Sequence, residues 1–133
     1  MYSHAEGGLT QTNGKCSHAE GCHTTASGDY SHAEGLYSKS NGMSSHAEGF
    51  FTTASGLNSH AEGYSTTASG MYSHAEGYST TANYNNMLAC GQYNKSNDEY
   101  TDILFQVGNG VDSSHNANAF TVCKNVIYTD VQL

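Results

Sequence analysis

The chain is poor in the residues that usually fill a protein interior. Leu, Ile, Val and Phe together supply 17 of its 133 residues, and residues 3–86 contain neither Val nor Ile. Arginine is absent, and the few lysines are outnumbered by twelve carboxylates, for a net charge of −8. A basic face able to neutralise phosphates is therefore missing, which argues against nucleic acid as a partner. There is no basic amphipathic stretch to hold a membrane surface, and no apolar run approaches the ~20 residues of a spanning helix, so no membrane insertion is expected. Met1 runs directly into repeat sequence without a secretion-signal pattern, which leaves location to be argued from other features. The cysteines Cys16, Cys22, Cys90 and Cys123 form no CxxC pair. Free thiols are expected, not a thiolate zinc site or a disulfide framework. No phosphate loop, cofactor fingerprint or paired-carboxylate pocket occurs.

Few aliphatics with a net acidic charge is the composition of a disordered chain. A strict long period overrides that reading. Ser-His-Ala-Glu-Gly begins at residues 3, 17, 31, 45, 59 and 73, each 14 residues after the last, and an altered seventh copy follows in register as Met87-Leu88-Ala89-Cys90-Gly91. Each copy leads into a second stretch, clearest as Ser65-Thr66-Thr67-Ala68-Ser69-Gly70. The first residue of each copy is taken as position 1 of a 14-residue unit.

Helix is excluded by glycine, which recurs at position 5 in all seven copies and at position 12 in five; each costs about 1 kcal/mol inside a helix. Two heptads would also make fourteen, but no apolar a/d seam exists. Two short strands and two turns per unit fit, with Asn-Gly or Ser-Gly at positions 11 and 12 as one turn. Alternate strand residues point to opposite faces. Positions 1, 3, 5, 8 and 10 carry only small groups in nearly every copy and are expected to line a thin interior. Position 9, which admits Gln11, Lys39 and Lys95 beside Thr25, Thr53, Thr67 and Thr81, faces solvent. The His and Glu at positions 2 and 4 face outward too. The predicted fold is all-β: a parallel β-solenoid of 14-residue coils. An interior of Ala, Ser and Gly buries little apolar area, so such a roll needs cover on one face. The seventh coil, where Leu88 and Cys90 replace His and Glu, suggests that this face is the one covered.

The repeats over residues 3 to about 98 resemble the head repeats of trimeric autotransporter adhesins, and also repeats in bacteriophage tail-fibre and neck-appendage proteins. The resemblance implies a left-handed parallel β-roll assembled as a homotrimer about a threefold axis. In that family positions 2 and 4 are aliphatic and face the axis; here only Leu88 and Cys90 follow that rule. The axis is then expected to be a polar trimer core of His4, His18, His32, His46, His60 and His74 with Glu6, Glu20, Glu34, Glu48, Glu62 and Glu76, completed by Leu88 and Cys90. Buried carboxylates are costly unless paired, so each Glu should accept a hydrogen bond from a His of its own or a neighbouring chain. The same residues could instead hold a divalent metal on the axis, imidazole being a suitable ligand. A ladder exposed on a monomer is the third possibility. No other cofactor is expected.

Residues 87–133 contain five Val and two Ile, a marked change of composition. Residues 1–98 are accordingly read as repeats and 99–133 as a C-terminal β cap or connector. Residues 103–107 and 119–122 read as strands flanking a Gly/Asn/Ser-rich loop, and they resemble segments that follow such repeats in phage-type fibres. The resemblance implies an extracellular structural or adhesive fibre segment, on a cell surface or a virion, without enzymatic activity. Six identical copies suit architecture better than a single catalytic pocket. Candidate contacts for a host-surface glycan or protein receptor are Leu36, Tyr37, Phe50, Phe51, Tyr64, Tyr72 and Tyr78; stacking of these rings from coil to coil is the simpler role. The alternative function is an ice- or ligand-binding solenoid that uses its Thr or aromatic ladders.

Overall fold

The computed structural model describes residues 2–96 and 102–129. The chain winds as a parallel β-solenoid of seven 14-residue coils, as the period predicts. The first strand of a coil occupies positions 2 to 6, as in His18–Cys22, His32–Leu36 and His46–Phe50, except in the sixth coil, where it is His74–Ala75. These strands pair in strict 14-residue register, His32 on His46 and Glu34 on Glu48. A second, two-residue strand at positions 9 and 10, such as Thr53–Ala54 and Thr67–Ala68, builds a six-stranded parallel sheet opposite.

The space between the sheets is as thin as the small residues demand. Ala19, Ala33, Ala47, Ala61 and Ala75 from one sheet meet Ala26, Ala54, Ala68 and Ala82 from the other, all with no exposed surface. Position 1 is Ser because its buried hydroxyl closes a turn: Ser31 Oγ donates to the carbonyl of Gly28 at 2.7 Å, and Ser17, Ser45, Ser59 and Ser73 repeat the bond. In the seventh coil the preceding Gly is Tyr84, and the Ser becomes Met87, which is buried against the core.

Two expectations are corrected. The glycine at position 5 does not line the interior; Gly21, Gly35, Gly49 and Gly63 are exposed. They are glycine because φ lies near +100° and an added Cβ would overlap the carbonyl oxygen of the matching glycine one coil on. The turn predicted at positions 11 and 12 lies later, at 12 to 14, and its left-handed residue is position 14, as in Tyr30 and Tyr72. Position 12 is glycine for close packing alone, since a Cβ on Gly28 would overlap the Gly42 carbonyl.

From Leu9 to Tyr93 every seventh residue, at positions 7 and 14, adopts positive φ although none is glycine; Tyr37 and Phe51 are at 59° and 56°. This conformation is costly for bulky residues. It is compensated because the turned amide reaches backward: Tyr37 N–H donates to Cys22 O at 3.0 Å and Phe51 N–H to Leu36 O at 2.9 Å, each in the preceding coil. Strand amides reach forward instead, as His32 N–H does to Ser45 O. Both directions of coil-to-coil bonding are thus filled at the corners, where backbone groups would otherwise go unpaired.

The predicted cap is present as strands. The seventh coil's Leu88–Gln92 pairs in parallel with Ile103–Asn109, which pairs antiparallel with Asn118–Cys123, and that in turn with Ile127–Thr129. Gln106 takes the place that alanine fills in the coils and has no exposed surface. Its amide is satisfied, accepting from Asn94 Nδ2 at 2.7 Å and donating to Lys95 O at 3.2 Å. This polar plug closes a solenoid end that would otherwise present open strand edges. The boundary expected between residues 98 and 99 lies outside the described residues.

Candidate functional site: a His–Glu face with an apolar end

The outward residues at positions 2 and 4 share one face of the larger sheet. Because the coils stack in register, the imidazoles stack too. The rings of His18, His32, His46, His60 and His74 lie 4.6–4.9 Å apart and within 12° of parallel. His4, in the first coil, meets His18 edge-on at 5.2 Å.

The glutamates pair across coils. Nε2 of His46, His60 and His74 lies 3.0 Å from Oε1 of Glu34, Glu48 and Glu62 respectively, always in the coil before. His32 to Glu20 is longer, at 3.5 Å, and His4 instead meets Glu6 of its own coil at 3.2 Å. The expected pairing of His with Glu is therefore formed within one chain. The pairs keep about a third of their side-chain surface exposed, so each is screened and contributes modestly. Nε2 of His18 and of His32 is buried without a hydrogen-bond partner. The His4 hydrogen bond holds the Glu6 carboxyl below its ordinary range.

The ladder ends at coil seven. Glu76 has Leu88, not His, diagonally above it, and its charge lies near Cys90. Burial chiefly, and then Glu76, pushes the Cys90 thiol up. From here the face turns apolar. Leu88 is in register with Phe105 and Cys90 with Val107, and these pair with Val122 and Phe120 of the next strand. All six side chains are half-buried, and Ile127, opposite Val122, is 64% exposed. The expectation had reached Leu88 and Cys90 only. The alternation of Phe105 and Val107 about Gln106 was the available signal, but joining it to the ladder needs a 17-residue offset that the 14-residue period does not contain.

No family model, curated protein or solved structure matches this chain.

The aromatic residues form two stacks at one corner. Tyr37 stacks on Phe51 at 4.8 Å and on His23 at 4.6 Å; Phe50, Tyr64 and Tyr78 stack in sequence at 5.1 and 4.7 Å, with Phe50 edge-on to Phe51. Leu36 precedes Phe50 in the same register. Tyr72 stands at the opposite corner, 55% exposed. The threonines at position 9 are half-buried, and exposed Lys39 lies in register between Thr25 and Thr53.

Proposed function

We propose that this chain is a structural segment of an extracellular fibre, of the adhesin-head or phage-fibre kind, in which three copies pack through the His–Glu face. The observation that carries this reading is the apolar end of that face. Leu88, Cys90, Phe105, Val107, Phe120 and Val122 form one continuous half-exposed strip. Contiguous apolar surface of this kind on a polar protein marks an interface. A second copy is the fitting occupant, because the strip continues into a ladder with one His and one Glu per coil, so that each copy offers both hydrogen-bond donors and acceptors to an identical face. Repetition of one constellation six times supports a spacing and display role, not catalysis. Tyr72 and the corner stacks are the surfaces available to a glycan or protein receptor.

Sedimentation equilibrium of the full chain at neutral pH tests the reading. A mass of three 14.1 kDa chains is expected, and Phe105→Asp should lower it by placing charge in the apolar strip. A monomer at all concentrations overturns the assembly.

A further inference from the structure

We propose that the His–Glu face binds divalent transition-metal ions, one ion for each pair of successive coils. Five groups carry the proposal: His4-Glu6-His18, His18-Glu20-His32, His32-Glu34-His46, His46-Glu48-His60 and His60-Glu62-His74. Within each group one ligand atom per residue lies within 4.8 Å of the others. Two imidazoles and one carboxylate are a donor set suited to zinc, cobalt or nickel, with water completing the shell. The 3.0 Å between His46 Nε2 and Glu34 Oε1 is the separation that two ligands ~2.0–2.1 Å from one ion subtend at roughly a right angle. A second observation points to a ligand: Nε2 of His18 is buried without a hydrogen-bond partner, and Nε2 of His32 has only the 3.5 Å approach of Glu20.

The stacking sets the stoichiometry. Nearly parallel rings carry their Nε2 lone pairs side by side, so sharing one ion requires two neighbours to turn toward each other about χ2. A ring turned toward one neighbour is turned away from the other. The six imidazoles therefore serve at most three ions, two per ion, spaced two coils apart. That spacing, about 9.6 Å at ~4.8 Å per strand, also keeps the bound charges from crowding. In the metal-free state the carboxylate accepts a hydrogen bond from the imidazole Nε2–H; a bound ion takes the place of that hydrogen, and the imidazole then ligates as its Nδ1–H tautomer. These sites lie within one chain and do not require the assembly proposed above.

The test uses the untagged full chain with the exposed thiols removed by Cys16→Ser and Cys22→Ser, stripped with chelator, and titrated with Co(II) by visible absorption and with Zn(II) by calorimetry. Saturation at about three ions per chain is expected. Two double variants decide the pairing. His4→Asn with His18→Asn leaves four successive imidazoles and should keep two ions. His18→Asn with His60→Asn leaves only His32 and His46 adjacent and should keep one. Circular dichroism of the metal-free variants establishes that each folds. No uptake at millimolar metal, or equal stoichiometry in the two double variants, overturns the proposal.

Discussion

Nε2 of His46 lies 3.0 Å from Oε1 of Glu34, a residue of the coil before, twelve positions earlier in the chain. The pairing ties each coil to its predecessor, as the backbone ladder does. A double-mutant cycle of His46→Asn and Glu34→Gln should give a coupling of about 0.5–1 kcal/mol in urea unfolding, the modest value reflecting exposure. The cycle of His46→Asn with Glu20→Gln, a carboxylate paired with His32, should give about half of that or less. Equal couplings would mean that the bond is not specific to neighbouring coils.

Glycine at position 5 answers to backbone geometry, so its replacement should be severe even though it is exposed. Gly63→Ala combines a φ of 100° with an overlap on the Gly77 carbonyl, and a loss of at least ~2 kcal/mol is expected. Gly8 has no positive φ, and its Cβ would meet only Cys22 Sγ at 3.6 Å. Gly8→Ala should stay within ~0.5 kcal/mol of the parent. Thermal denaturation of the two variants side by side checks the contrast.

The plug at the C-terminal end depends on a buried amide. Gln106→Leu removes the acceptor of Asn94 Nδ2 and the donor to Lys95 O. A destabilisation of roughly 1–3 kcal/mol follows from the buried Asn94 N–H left without its acceptor. Hydrogen exchange should locate the loss in the last coil and cap, leaving the protection of Ala33 and Ala47 amides unchanged. Uniform loss along the solenoid would count against a local plug.

The loop between the cap strands has its own pH dependence. The His115 ring, chiefly, and then the Ser114 amide hold the Asp112 carboxyl below its ordinary range. A carboxyl depressed in the folded state stabilises above its unfolded pKa, and that contribution is lost as pH falls through the folded value. The loop should therefore loosen only at the acid end. Carbon-detected NMR titration should show the Asp112 midpoint rising in His115→Ala; an unmoved midpoint would remove His115 as the main cause.

The outward placement of His and Glu, and the interior of Ala and Ser, were legible because a strand's side chains alternate with period two and the repeat preserves that phase through every coil. The corners were less legible. Tyr37 and Phe51 at positive φ contradict the local preference of bulky residues, and only the backward hydrogen bond to the neighbouring coil makes the conformation acceptable. The stacked rings could be anticipated as an option, since residues in register must meet. Their pairing with the preceding coil's carboxylates could not, because side-chain torsions choose among several partners at similar distance.

By itself the sequence determined the coil: a 14-residue period, small inward residues and glycine at fixed places leave a thin parallel solenoid as the one arrangement that satisfies them all. Tertiary structure alone decided where that solenoid ends and what its outer face becomes. The last pairing, Leu88 on Phe105, spans 17 residues and is set by burying Gln106 and Ile103 over the open coil. Long-range closure of that kind depends on packing and hydrogen bonding between distant segments, which a local period cannot encode. It is this closure that carries the His–Glu ladder into an apolar strip.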